Sequence, residues 1–421
     1  MMYDVIIIGA GIAGASFASK ISKYAKTLLI EARDKGNLPV TTNIFPEHNK
    51  PFLREVDYTD KELFPCIHYK INYMDKKCNG TIDSTEFGEP FGYLSYTENL
   101  LKHLLDRCEE QGGEIRYNEN VSKIIRHKEK VEILTNKGES YFCKLLAIAA
   151  GSHSFELQKS LGFDVPDSYM GIYTNFYGDE DKIKDNIDWN YVFHINPKVS
   201  QNGPLFFNRG KERLFTGFLG KMDDEPAEIK SKLDRIFTNY KPIQPFIKDL
   251  KRGSTTVVGK ISKHPINTLS DDRVLILGES GGLVTAFFYE GLLGGLASSE
   301  IATNVLLPLL ETDSNFTRAE LKQYDQEVYR ILVDSYFKTN LASEFLFYYA
   351  KSKIQLLWET YCKFISEDST IRRYIWEAIR RHDLENHDLE RDRWAGEQIF
   401  KRLPFLSKTT YWPHFLRAMF K

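Results

Sequence analysis

Long apolar runs are missing from this chain. Nowhere do about 18 apolar residues follow one another, so no membrane-spanning segment is expected. Neither sign of charge dominates. Lys and Arg number 56 against 58 Asp and Glu, a net charge of −2, which argues against a basic surface for nucleic acid. Cysteine is scarce and odd in number: Cys66, Cys78, Cys108, Cys143 and Cys362 match no paired zinc spacing. Cys66-Ile67-His68 with Cys78 is the one grouping that resembles a metal cluster. Reduced thiols in a cytoplasm are the plainer reading, and no metal is expected. There is no positively charged leader with a cleavage site, so no signal peptide is expected. Internal repeats and low-complexity tracts are also absent, and G-x-G-x-x-G occurs once.

What is present is size and aromatic content. A chain of 421 residues exceeds what one hydrophobic core usually spans, so two or three domains are expected. Aromatics make up 13% of it, with 28 Phe and 23 Tyr, which suits aromatic-rich cores or a large apolar cavity.

The most informative stretch is Gly9-Ala10-Gly11-Ile12-Ala13-Gly14. An apolar run, Tyr3 to Ile8, precedes it and suits a buried parallel strand. Small residues at helical spacing follow it. Thr27-Leu28-Leu29-Ile30 then reads as a second strand, closing at Glu31. Strand, glycine turn, helix, strand and acid is an arrangement that holds a dinucleotide pyrophosphate. Gly9 permits the tight turn, Gly11 lets backbone approach the pyrophosphate, and Gly14 lets the helix pack on the strand. The first N–H groups of the helix face the phosphates. Glu31 is placed to accept hydrogen bonds from ribose hydroxyls.

Residues 36–90 lose periodicity and carry Pro39, Pro46, Pro51, Pro65 and Pro90, which predicts loops and short strands at a pocket. The pattern over 97–111 predicts an amphipathic helix capped by Thr97 and stopped at Gly112-Gly113. Strands are expected over 114–117, 121–126, 131–135 and 145–151, with a turn at Asn136-Lys137-Gly138. Over 165–262 aromatic and polar residues alternate, predicting an antiparallel sheet interrupted by a helix near 227–238. The parallel-strand pattern returns at Val274–Gly278, a helix is expected from Gly291 to about Leu310, and 316–421 reads as helical. Phe193, Phe206, Phe207, Phe215 and Phe218 read as core, or as a greasy tunnel if alternate ones face a cofactor. His194 and His264 are candidate acids, though a lone strand histidine is more often structural. The stretch 345–358, with Trp394 and Trp412, reads as basic amphipathic helices that pack on the body or touch a membrane surface.

Three elements recur in order: the glycine turn with Glu31 and Arg33, a strand ending in Ala149-Ala150-Gly151, and Val274-Leu275-Ile276-Leu277-Gly278-Glu279 before a glycine-bearing helix start. On these the chain resembles the FAD-dependent oxidoreductases of the para-hydroxybenzoate-hydroxylase type, over roughly residues 1–310, and among them the geranylgeranyl reductases. The resemblance implies an α/β fold: an FAD-binding Rossmann-like domain of the glutathione-reductase type, an antiparallel-sheet substrate domain and a helical C-terminal extension. The implied boundaries are 1–160 for the first FAD-binding part, with a pocket-forming insertion at 36–95. The substrate domain then takes 161–264, the returning FAD-binding part 265–310, and the helical region 311–421. It implies that Gly9, Gly11, Ile12, Ala13 and Gly14 hold the FAD pyrophosphate, Glu31 the adenosine ribose, and Ala32 and Arg33 the neighbourhood of the adenine. Val121 takes an adenine-side backbone position, Ala150 and Gly151 the short strand end, and Glu279 after Gly278 the ribityl contact. Gly291 and Leu292 open a helix toward the flavin pyrimidine ring. Lys263-His264-Pro265-Ile266 resembles a short basic-Pro-apolar strand before the Gly-Glu turn.

Thr285-Ala286 stands where the family has Asp-Pro, and Tyr289-Glu290 where it has Gly-Gly. Tyr289, Glu290 and His264 are therefore the candidate proton donors. The implied reaction is hydride transfer from reduced FAD to a double bond of an isoprenoid lipid. NAD(P)H or ferredoxin is the external electron donor, and no nucleic acid is involved. The alternatives are a flavin-dependent aromatic monooxygenase and a flavin-binding protein without turnover. A cytoplasmic protein is expected, with peripheral membrane contact left open.

Overall fold

The computed structural model describes residues 2–45, 50–58, 64–65, 70–74, 79–153, 155–196, 199–200, 203–220, 224–312, 314–350, 354–380 and 388–420. The Cys66-Ile67-His68 and Cys78 grouping lies outside them. Cys108, Cys143 and Cys362 are buried free thiols. Among the described residues, no three His, Cys, Asp or Glu side chains gather as metal ligands.

An eight-stranded sheet organises the nucleotide side of the molecule. Its parallel core runs Val274–Ile276, Ser140–Ile148, Met2–Ile8, Thr27–Ile30 and Glu114–Arg116. The central strands are buried, as their apolar sequences require: every residue of Thr27–Ile30 and Val274–Ile276 is buried. Val121–Arg126 and Val131–Thr135 form an antiparallel arm on Ser140–Ile148, turning at Asn136–Glu139. The chain thus leaves this sheet after Ile148 and returns at Val274 to the free side of the same strand. That return places two distant turns at one sheet edge.

The helices Ile12–Ile21 and Leu292–Glu311 pack together in front of the sheet, joined by a Ser299 Oγ to Ser16 Oγ hydrogen bond of 2.7 Å and a Lys20–Glu300 ion pair. By length and composition Leu292–Glu311 is apolar enough to cross a membrane, but it is mostly buried within the protein. The expected helix near 97 is Thr97–Glu110, and its cap is Tyr96 rather than Thr97. Thr97 sits one position inside because its hydroxyl is engaged by Thr41 and Asn43.

A second sheet of seven strands follows the order Lys251–Lys263, Asp167–Tyr177, Arg213–Leu219, Leu205–Arg209, Asn190–His194, Lys70–Met74, Asn79–Asp83. It is antiparallel except between Asn190–His194 and Lys70–Met74, which run parallel. Two strands therefore come from the proline-rich stretch after residue 36. Thr42–Phe45, Tyr93–Tyr96 and Phe64–Pro65 form a third sheet of short strands, whose members flank Lys70–Met74 and Asn79–Asp83 in sequence. The helix Pro226–Asn239 interrupts the large antiparallel sheet as expected. From Arg318 to Tyr348 the chain is continuously helical, with a π-helical turn over Tyr329–Phe337. Further helices, Ile354–Glu367, Ser369–Arg380, Leu389–Arg402 and Phe405–Met419, pack around Trp358 and Phe364 in a second core that they share with Ile82, Leu94, Phe193 and Phe287.

Candidate active site

Three backbone segments meet at the C-terminal ends of the parallel strands. In the first, Gly9 adopts φ +98°, and a Cβ there would lie 2.5 Å from Ala149 O. A Cβ on Gly14 would lie 1.9 Å from Gly9 O, so helix and strand touch through glycine backbone. Ala149-Ala150-Gly151, the second segment, follows the strand rather than belonging to it, because Ser140–Ile148 ends at Ile148. The third is the 3₁₀ turn Gly278–Gly281. A Cβ on Gly278 would lie 2.6 Å from the Ala13 methyl, which ties the third segment to the first. Ser280 Oγ donates to Gly151 O at 3.1 Å, which ties it to the second.

The space in front of these turns suits a pyrophosphate. A Cβ on Gly11 meets nothing within 4 Å, and the helix from Ile12 has no side-chain cap. Its first N–H groups therefore face open space at the positive end of the helix dipole. Glu31 is buried at the end of Thr27–Ile30. It accepts from Ala10 N–H at 2.6 Å and from the Arg33 backbone N–H at 2.8 Å, while the Arg33 Nε–H reaches it at 2.9 Å. Burial alone raises its pKa, but these donors outweigh burial and hold it below the ordinary value. Asn118 N–H and Glu119 N–H bond the carbonyls of Arg33 and Glu31, at 2.9 and 3.0 Å. Val121 opens the next strand two residues after Glu119. Glu279 is not a helix cap. It lies in the first 3₁₀ turn, accepts from Ser262 N–H at 3.1 Å, and is raised in pKa by burial.

Beside this cradle lies a cavity of about 230 Å³ between the two domains' elements. Its walls include Phe193, Phe206, Phe215 and Phe218 of the antiparallel sheet, with Leu292 and Tyr336 from the helices. Four of the five singled-out phenylalanines thus line it. Phe207 points to the other face of the sheet, because successive strand residues alternate. Thr41, Thr42, Asn43 and Asn208 make one polar stretch of the lining. Asn208 Oδ1 is buried with no hydrogen-bond partner.

The loop Thr285–Glu290 enters the cavity just before Gly291, the N-cap of Leu292–Glu311. Thr285 closes it: Tyr289 N–H bonds Thr285 O at 2.9 Å, Glu290 N–H bonds Thr285 Oγ1 at 2.9 Å, and Thr285 N–H bonds Glu290 O at 3.1 Å. Tyr289 takes φ +56° in this closure, a left-handed conformation rare for an aromatic residue. The Glu290 carboxyl carries no hydrogen bond or ion pair among the described residues, and burial alone pushes it up to about 7. It is a carboxyl of raised pKa on the wall of an aromatic cavity.

His264 does not line that cavity. It also leaves the strand, which ends at Lys263, so Lys263–Ile266 is no separate strand. Its φ of +63° and the Ile266 N–H to Gly281 O bond show a turn against the cradle. His264 lies behind Tyr289, with Nε2 3.5 Å from Glu344 Oε2. Glu344 also accepts from Tyr289 OH at 2.6 Å and Tyr169 OH at 3.3 Å, and Lys263 Nζ lies 3.6 Å away. Burial raises the Glu344 pKa, but the His264 and Tyr289 hydrogen bonds and the Lys263 charge win, leaving it low. Reading the sequence missed Tyr169 and Glu344. Nothing in their local patterns signals a cluster that only the fold assembles. His194 bonds Tyr240 OH at 2.6 Å and is structural.

Residues 3–169 match the family model for pyridine nucleotide-disulphide oxidoreductases. No curated protein matches the chain by sequence. Among solved structures, a geranylgeranyl bacteriochlorophyll reductase-like protein from Thermoplasma acidophilum superposes with a TM-score of 0.68 at 15% identity, covering 97% of this chain and 98% of its own. A p-nitrophenol 4-monooxygenase from Pseudomonas putida also gives 0.68, at 14% identity, over 90% of this chain and 98% of its own. A halogenase solved with phloroglucinol and FAD gives 0.68 at 13% identity, over 99% and 94%. The chain has the fold of the FAD-dependent oxidoreductases and monooxygenases, and Gly9, Glu31, Gly151 and Gly278 form a cradle of the dinucleotide-binding kind within it.

Proposed function

We propose that this chain is an FAD-dependent oxidoreductase that saturates carbon–carbon double bonds of an apolar substrate, an isoprenoid lipid chain being the leading class. The observation that carries this reading is the Glu290 carboxyl on the wall of an aromatic cavity beside the glycine cradle, with no hydrogen-bond or ion-pair partner among the described residues and a pKa raised by burial. Bound FAD, once reduced by NAD(P)H or ferredoxin, supplies the hydride. Reducing an alkene also needs a proton on the second carbon, and Glu290 holds one in a site with no competing base. Thr285 fixes the loop that presents it. Phe193, Phe206, Phe215 and Phe218 exclude water and hold the alkene by apolar contact. Gly291 caps Leu292–Glu311, and the positive end of that helix would stabilise negative charge on a reduced flavin held beside it. His264, Glu344 and Tyr289 position the loop from behind.

One observation favours a second reading, aromatic hydroxylation. The unpartnered Asn208 Oδ1 faces the polar end of the cavity wall and suits a phenolic hydroxyl. The experiment is to reduce the purified protein anaerobically and offer a prenyl lipid. The proposed reaction adds hydrogens in pairs, seen as mass increments, and reoxidises the flavin. Oxygen-dependent NAD(P)H consumption stimulated by a phenol, with the prenyl lipid unchanged, would replace it by the second reading. If neither substrate reoxidises the flavin, the chain is a flavin-binding protein without turnover.

A further inference from the structure

The C-terminal helix Phe405–Met419 presents an apolar face that the described residues leave largely uncovered; on it the Trp412 ring meets Phe400, 5.3 Å between ring centroids. Tyr411, Phe415 and Ala418 bury its inner side, and His414 Nε2 meets Leu346 O at 3.0 Å. On the outer side, Phe405, Trp412 and Met419 follow one another at seven-residue steps and form one column along the helix. Leu406, Pro413 and Phe420 form the adjacent column. Phe405 is 83% exposed, Leu406 86%, Phe420 85% and Trp412 50%. Soluble surfaces scatter such residues singly, and a continuous stripe marks an interaction face.

Charge identifies the partner. From residue 398 to 421 the sequence contains no Asp or Glu. Lys408 borders the stripe on one side and Arg417 on the other, as the helical repeat of 100° per residue places them. The hydroxyl of Thr409, which falls inside the stripe, turns back onto Leu406 O at 3.4 Å, so the face offers little to hydrogen-bond. Protein interfaces carry a polar rim with cross-chain hydrogen bonds, and this face lacks the groups for one. Aromatic residues, no acid and flanking cations are the composition of a helix lying in a bilayer interface.

We infer that the helix Phe405–Met419 docks this protein on an anionic lipid surface, with Phe405, Leu406, Trp412 and Phe420 entering the headgroup region and Lys408 and Arg417 meeting lipid phosphates. The inference is independent of the reaction proposed above, since it needs neither flavin nor substrate.

The full chain is to be floated with phosphatidylcholine vesicles and with vesicles of phosphatidylcholine mixed with phosphatidylglycerol. Binding is expected to be about tenfold tighter or more on the anionic vesicles and to weaken with salt. Trp412 fluorescence is expected to be quenched by brominated lipid. The double variant Phe405→Glu with Phe420→Glu is expected to lose at least about tenfold in binding while its melting temperature stays unchanged, because both side chains already face water. Flotation of that variant as readily as the unchanged protein would overturn the inference, as would absence of flotation with either vesicle. A concentration-dependent dimer abolished by the same variant, without vesicle binding, would assign the face to a second copy instead.

Discussion

At the scale of single residues, the proposed reaction turns on Glu290. Its ordinary value is 4.5 and burial pushes it up to about 7. As pH rises between those values the unfolded chain ionises this carboxyl while the folded chain keeps it neutral. Stability is therefore lost progressively over that window and stays lower above it. Glu290→Gln is expected to raise the melting temperature above pH 7, by about 2 kcal/mol in unfolding free energy, and to leave it unchanged at acid pH. The same variant is expected to keep bound flavin but slow alkene reduction by about a hundredfold or more. In the unchanged protein that rate should fall as pH passes through 7. Steady-state rates across pH and thermal melts of the pair check this. Glu344 behaves oppositely. Its pKa is held low, so its contribution is present at neutral pH and is lost as pH falls through the acidic range. Glu344→Gln leaves the buried Lys263 ammonium without its counter-charge and is expected to cost about 3 kcal/mol by chemical denaturation.

At the scale of elements, the parts read from sequence were those with local signatures. The strand and turn of Gly9–Gly14, the helix after Gly291 and the return at Val274 each carry a periodicity or a glycine that forces them. His264 and Thr97 illustrate the limit. One leaves its strand because Gly281 O captures the next turn, and the other moves inside its helix because Thr41 and Asn43 take its hydroxyl. Those partners lie far away in sequence. The glycine turn yields a paired test. Gly14→Ala drives a methyl to 1.9 Å from Gly9 O and is expected to destabilise the chain whether or not flavin is present. Gly11→Ala meets nothing within 4 Å, so the flavin-free protein should melt unchanged while flavin affinity falls about tenfold or more, read by titration. Equal effects of both on flavin-free stability would remove the distinction between a packing glycine and a phosphate glycine.

At the scale of the whole molecule, one sheet is built from the two ends of the first 280 residues, and the excursion between them builds most of the other large sheet. That topology brings Gly9, Gly151 and Gly278 together and sets the aromatic cavity against them. Composition hinted at a cavity through its phenylalanines but did not say which ones faced inward. The strand order and register decide that, as Phe206 and Phe207 show by facing opposite ways. The Lys263, Tyr169, Glu344 and Tyr289 cluster ties the C-terminal helices to the antiparallel sheet and to the loop before Leu292–Glu311, and no local pattern announces it.

The account rests on FAD occupying the cradle formed by Gly9, Glu31, Gly151 and Gly278. The direct measurement is the absorbance and mass spectrum of the ligand carried by the purified protein, before and after incubation with excess FAD. The account predicts flavin absorbance bands and one FAD per chain, with retention reduced in the Gly11→Ala variant. A protein that stays colourless after incubation, or that carries a nicotinamide dinucleotide in the same cradle, would contradict it.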